Sequence, residues 1–310
     1  MKGYFAKRLG YMLITLFVIV SITFFLMQLL PGTPFTDPEK LSEQQLELMN
    51  EKYGLNQPVA IQYVNYVRSL VTGDLGISYQ YEGRSVNEIL SERIGPSALI
   101  GFQALVFGAL AGLALGIISA LHHNSFLDYG SVTIAVLGMS IPSFVFAALM
   151  QYFIGVKLGW LPAALWQGYE YTIMPSLALS VTVIATVARF IRTEMLEVLG
   201  QDYILTARAK GISEKAVVFR HIVRNAIIPV VTMLGPLAVA IMTGTLVIEK
   251  IFSVPGLGEQ FTKSVLVNDY SVIMGVTLMY SALFIGVVFI VDILYGVIDP
   301  RISIKGEHKL

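Results

Sequence analysis

The sequence predicts an all-α membrane protein with six transmembrane helices, and three observations lead to that class. Only 14% of its 310 residues are charged and its mean hydropathy is +0.70, too apolar for a soluble chain of this length. Six segments, at 9–30, 97–121, 129–154, 171–188, 226–248 and 271–298, carry no charge apart from one acid in the last, Asp292. Each is close to or above the ~20 helical residues that cross a hydrocarbon core of ~30 Å. Backbone groups in lipid must pair internally, and no stretch alternates as a barrel strand does, so the segments are helical.

Lys2, Lys7 and Arg8 precede the first span as in a signal peptide. The apolar run is longer than an h-region and no small-residue cleavage site follows it, so it is expected to stay as an anchor. Thirteen of the 21 Lys and Arg fall on segments 1–8, 122–128, 189–225 and 299–310, which are inner if the N-terminus is inside. The outer segments 31–96, 155–170 and 249–270 hold eight, five of them in a long loop that translocates largely regardless of charge. Both termini are therefore expected to be cytoplasmic. Tyr11, Trp160 and Trp166, near span ends, read as interface anchors.

The loop 31–96 is too long for a plain connector and reads as a small helical outer domain. Ser42-Glu43-Gln44-Gln45 matches a capping box, Gly54 suits a helix stop, and Pro58 suits the first turn of a second helix reaching about Val71. Gly73-Asp74-Leu75-Gly76 makes a turn, and Ser85-Val86-Asn87-Glu88 is a second capping box leading a short helix toward the membrane. This region either contacts an extracytoplasmic partner or caps the bundle. The chain thus divides into the N-terminus and first span (1–30), the outer helical domain (31–96) and a five-helix core (97–310). That core carries an elbow at 189–229.

The elbow holds seven of the 21 Lys and Arg between two apolar runs. Asp202 suits an N-cap, 203–210 reads as about two helical turns, and Gly211 suits the left-handed residue that ends them. Ser213 can start the next helix with Glu214 in its first turn, where a negative charge suits the helix dipole. From the residues alone the elbow is either a knob for a partner or a basic loop that only fixes topology.

Several chemistries are excluded. There are no cysteines, hence no disulfide, thiolate metal site or cysteine nucleophile. No Gly-Lys dipeptide occurs, so no Walker A loop cradles ATP phosphates on this chain. The four histidines, His122, His123, His221 and His308, cannot form a His-Glu-x-x-His pair, and no nucleophile–base set stands out. No catalytic residue, metal site or cofactor is expected on this chain. Net charge is zero, so no nucleic-acid partner is implied. His122 and His123, in a short inner turn, are expected to be solvated.

Candidates for a path through the membrane are fewer. Pro142, Pro175 and Pro236 interrupt the predicted helices and either expose carbonyls to a cavity or only kink. Thr243, Gly244 and Thr245 form a small polar patch in the fifth span, lining a path or serving close helix packing. Asp292 is a functional candidate as an intramembrane acid, yet it stands about two turns from the end of its span, where an interfacial place serves equally.

The residues Asp202-Tyr203-Ile204, Thr206-Ala207-Arg208-Ala209-Lys210-Gly211 and His221 resemble the cytoplasmic loop of ATP-binding-cassette importer permeases. So do Arg224-Asn225-Ala226 and Pro229 beyond them. Further stretches are similar to the peptide and nickel importer subfamily, and within it to the B-type permeases of oligopeptide importers. They are Gly73-Asp74-Leu75-Gly76-Ile77-Ser78, Ile141-Pro142-Ser143-Phe144, Phe252-Ser253-Val254-Pro255-Gly256-Leu257-Gly258 and Asp299-Pro300-Arg301. Leu205-Thr206 stands where the broad motif has Glu-Ala, and Pro229 follows Gly211 later than usual. Both departures match the peptide subfamily.

The resemblance implies a type I importer permease of a bacterial inner membrane, working by alternating access on oligopeptides, with dipeptides or nickel complexes as alternatives. It implies a homologous second permease, two ATPase subunits holding ATP and Mg, and an extracytoplasmic peptide-binding protein. The elbow would be the coupling helix seated in an ATPase groove. Ala207 and Ala209 would give its packed face and Gly211 its corner. Arg208 and Lys210 would pair with ATPase acids or stay solvated. His221 would make a hydrogen bond within the elbow, and Arg224 and Asn225 would anchor the fifth span. From the residues alone, two rivals stand beside this. An ion-driven transporter needs paired ionisable groups, and only Asp292 is available. A non-transporting scaffold would leave the Pro and Gly interruptions unexplained.

Overall fold

The computed structural model describes residues 2–30, 33–35, 42–81 and 83–298, with side chains at 2–6, 240, 242–244, 291, 292 and 294–298 outside the description. The expected ending Asp299-Pro300-Arg301 lies outside these residues. Among them the chain forms α1 (Lys2–Leu29), α2 (Glu43–Lys52), α3 (Val59–Val71), α4 (Val86–Leu121), α5 (Phe126–Ser140) and α6 (Ser143–Met150). After a π-helical turn at Gln151–Lys157 come α7 (Glu170–Leu199), α8 (Asp202–Ala209) and α9 (Glu214–Val217). A second π-helical stretch, Val218–Val223, leads into α10 (Arg224–Phe252), followed by α11 (Leu257–Leu266) and α12 (Tyr270–Ile298). Among the described residues five helices are long and apolar enough to cross a membrane, or six if the bent pair of α5 and α6 with its π-helical turn is one span.

Three expectations about helix limits are corrected. The second span does not begin at Ser97. α4 starts at Val86 and runs unbroken through Pro96 for 36 residues, with Ser85 Oγ accepting the Glu88 N–H at 3.1 Å. Glu88, Glu92 and Arg93 end the apolar run but are good helix formers, so the helix outlasts the hydropathy signal. Pro175 and Pro236 do not interrupt their helices but lie inside continuous α7 and α10. Pro142 does break its span: Ile141 (ψ 121°) and Pro142 (ψ 138°) are both extended, and the chain turns by 100°. A residue before Pro is pushed out of the helical region, which is why the break falls at Ile141.

The described residues form two compact units, one of those up to 95 with 255–285 and one of 96–254 with those from 286 on. In the first, Ser42 and Gln45 close the expected capping box, Gly54 is left-handed (φ 67°), and Pro58 caps α3 rather than lying within it. Asn87 pins the turn at Gly73, donating to the Gly73 carbonyl at 2.7 Å and accepting from Leu75 N–H at 2.9 Å. The turn ends on Ser78, whose hydroxyl donates to buried Asp269, and the Tyr79 N–H adds a bond to the same carboxylate at 3.2 Å. Burial raises the pKa of the Tyr66 and Tyr79 hydroxyls above their ordinary value.

The second unit is built around α7. Gly108, Gly112 and Gly116 of α4 share one stripe, four residues apart, and meet its backbone. A Cβ at Gly116 would fall 2.4 Å from the Ala188 carbonyl oxygen, and one at Gly112 2.8 Å from that of Ile184. On another side Gly138 of α5 faces Ala185 and Val181. Small residues let helices approach this closely where no hydrophobic force separates helix from lipid.

Candidate functional site

The elbow follows α7 directly. α8 is one short helix whose inner face is Ile204 and Ala207, both buried. Asp202 is not its cap: Gln201 holds the cap position without a side-chain bond, and Asp202 is the first helical residue, where its charge still suits the dipole. Thr206 Oγ1 donates back to the Asp202 carbonyl at 3.0 Å. Gly211 has φ 75° and open space around it, so backbone conformation rather than crowding favours glycine there. Ser213 precedes α9, with Glu214 in the first turn, as expected.

Two side-chain contacts brace the corner. Arg208 donates from Nε to Glu214 Oε1 at 2.8 Å, joining α8 to α9 across Gly211. Asn225 donates from Nδ2 to the Tyr203 hydroxyl at 3.0 Å, tying α8 to the start of α10. Arg208 is thus bridged to Glu214 within the elbow, and the Asn225 amide donates to α8. Lys210 and Arg224 are exposed, and the His221 ring, in the π-helical stretch, lacks the expected hydrogen bond among the described residues. Ala209 is exposed, so only Ala207 belongs to the packed face. Outward, α8 and its surroundings present apolar side chains: Leu205 is 59% exposed, and Tyr203, Ile212 and Phe219 are exposed with it.

A second cluster, which sequence reasoning missed, holds the helix that leads into the elbow. Asp128 of α5 is buried and accepts from Arg192 of α7 through Nε (2.7 Å) and Nη2 (2.9 Å). Its carboxylate also accepts from Ser119 Oγ and the Asn124 N–H, and His123 Nδ1 lies 3.1 Å away. His123 therefore belongs to this cluster and is not simply solvated. Its central pair lies 64 residues apart, and only the unusual presence of Asp128 and Arg192 at the edges of apolar runs hints at it.

The comparisons agree with this architecture. The family described as "Binding-protein-dependent transport system inner membrane component" matches residues 112–304, and its N-terminal counterpart matches residues 1–86. The chain belongs to this family. A dipeptide transport system permease protein of Lactococcus lactis is 44% identical over 98% of this chain and 100% of its own length. An oligopeptide transport system permease protein of Haemophilus influenzae is 40% identical over 97% of this chain and 99% of its own. An inward-facing methionine ABC transporter structure has TM-score 0.58 at 17% identity, covering 68% of this chain and 96% of that one. The fold is that of type I ABC importer permeases.

In this transport-system component the path candidates divide. Pro142 stands exposed at the 100° break. The N–H groups of Val145 and Phe146 return to its carbonyl, leaving those of Ser143 and Phe144 at the open start of α6. Thr245 is buried in α10, while Thr243, Gly244 and Asp292 lie on helices but outside the described side chains. One turn beyond Thr245, Glu249 is fully buried and accepts from Ser97 Oγ at 2.6 Å. The sequence reading assigned Glu249 to an outer loop, so Asp292 is not the only acid carried on a long apolar helix.

Proposed function

We propose that the chain is the membrane-spanning, non-catalytic permease subunit of an ATP-driven peptide importer. The elbow at 202–225 docks into an ATPase subunit and moves with it. The observation that carries this reading is the elbow itself: a short helix set by the Gly211 corner and braced by Arg208–Glu214 and Tyr203–Asn225, with Leu205 and Ile212 turned outward. A rigid knob with an apolar crest transmits displacement, whereas a topology-fixing loop needs neither bond. In the inner membrane of a bacterium, with both termini cytoplasmic, ATP and Mg would act on two ATPase partners. A second permease would complete the path along Pro142, Thr243, Gly244 and Thr245. An extracytoplasmic binding protein would deliver the peptide, and a rigid-body transition would alternate access.

The proposed cargo is oligopeptides. A dipeptide reading stands beside it, supported by the 44% and 42% identities to proteins named for dipeptide transport. The test is a pull-down of the tagged chain from detergent, with an ATPase assay on the eluate. Recovery of ATPase subunits and a second permease, with activity raised by peptide and binding protein, supports the reading. Elution alone, without ATPase, overturns it. Peptides from two to five residues in the same assay separate the dipeptide and oligopeptide forms.

A further inference from the structure

The contacts of α3, the second helix of the loop 31–96, set it against α1. The Tyr63 hydroxyl lies 2.6 Å from Ser21 Oγ, Phe24 stacks on Tyr66 with centroids 5.6 Å apart, and Gln28 Nε2 donates to Gln62 Oε1 at 3.0 Å. These partners centre four to five residues before α1 ends at Leu29, about 7 Å at 1.5 Å per residue. The apolar span itself is 23 residues, Lys7–Leu29, about 35 Å and little longer than a hydrocarbon core. α3 therefore crosses α1 at the depth of a headgroup–acyl boundary, not in the water beyond it.

The side chains of α3 sort accordingly. At helical spacing Tyr63, Tyr66 and Leu70 share one stripe, Ala60, Val64, Val67 and Val71 the adjoining flank, and Asn65, Arg68 and Ser69, with Ile61 among them, the far side. The Tyr stripe faces α1. The valine flank is left over: Val64 is 62% exposed and Val71 83%. At the same end of α1, Ile22, Leu26 and Leu29 are exposed too.

We infer that α3 is an interfacial helix. It lies across the Leu29 end of α1, with Val64 and Val71 in the acyl chains of that leaflet and Asn65 and Arg68 toward the phospholipid headgroups. Continuity with the lipid-facing surface of α1 selects lipid over a protein partner, and a cation on the polar edge suits phosphate. The inference holds whichever side of the membrane that leaflet faces, and does not depend on the transported cargo.

Single cysteines at Val64, Val71, Asn65 and Glu47 in the naturally cysteine-free full chain would each carry an environment-sensitive fluorophore. The labelled proteins would sit in phosphatidylethanolamine–phosphatidylglycerol vesicles. Acyl-chain-brominated lipid should quench Val64→Cys and Val71→Cys roughly threefold more than Asn65→Cys, and aqueous iodide should show the reverse order, strongest at Glu47→Cys. Equal iodide quenching at 64 and 65 would place α3 in water and overturn the inference. Protection of 64 and 71 from both quenchers would assign the flank to a protein partner and overturn it equally. Val71 is the last residue of α3, so its variant keeps the test decisive should Val64→Cys disturb packing.

Discussion

Arg192 grips Asp128 with two parallel bonds, Nε to Oδ1 at 2.7 Å and Nη2 to Oδ2 at 2.9 Å. The carboxylate is buried, and the guanidinium is about a fifth exposed. Such a pair is costly to break, because removal of one partner strands the other charge. Asp128→Ala should lower stability by about 3–5 kcal/mol. Asp128→Leu combined with Arg192→Met should recover most of the loss. Thermal unfolding in detergent checks both, and an unchanged midpoint for Asp128→Ala would show that the pair does not hold α7.

The glycine stripe of α4 gives the second expectation. Gly112→Leu must displace the Ile184 carbonyl or Val187, since even a Cβ would meet both at 2.8 Å. Overpacking of this kind costs about 1–3 kcal/mol or more. Gly130→Leu, with nothing within 4 Å of its Cβ position, should be tolerated. Yield of folded protein after membrane extraction compares the two. Equal yields would mean that α4 and α7 can separate without penalty.

The features of the fold differ in how far the sequence announces them. The corner at Gly211 and Ser213 was legible because turn chemistry is local, and the break at Pro142 because a proline constrains its predecessor. Helix ends were less so: hydropathy marked Ser97, but Glu88 and Glu92 continue the helix where lipid contact stops. The Asp128–Arg192 pair joins residues 64 apart, and Tyr203–Asn225 joins two helices across the corner. Neither leaves a periodic trace, because both depend on how α5, α7 and α10 fold back. α3 was legible as a helix of the loop 31–96, but an amphipathic pattern does not say what its apolar flank meets.

Membrane sidedness has a direct test in the cysteine-free chain. Glu47→Cys on α2 should react with an impermeant maleimide in intact cells, and Leu205→Cys on α8 only after permeabilisation. Both positions are exposed. Ser78 would be a poor probe, because its side chain is buried on Asp269. Reaction of Leu205→Cys in intact cells would invert the topology.

The corner at Gly211 separates backbone conformation from side-chain bulk. Its φ of 75° costs an ordinary side chain about 1–2 kcal/mol, least for Asn and most for β-branched residues. No neighbouring atom lies within 4 Å of its Cβ position, so size alone cannot decide the outcome. Gly211→Asn should therefore keep the Arg208–Glu214 bridge and peptide-stimulated ATPase activity of the assembled importer near wild type. Gly211→Val should re-angle α8 against α9, break that bridge and cut stimulated activity while leaving membrane insertion intact. The same assay on Arg208→Ala separates the corner from its brace. That pair is exposed and worth under about 1 kcal/mol, so its loss should weaken coupling only slightly. If Gly211→Val retained full stimulation, the left-handed corner would have no part in coupling, and the crest formed by Leu205 and Ile212 would have to act without a fixed angle.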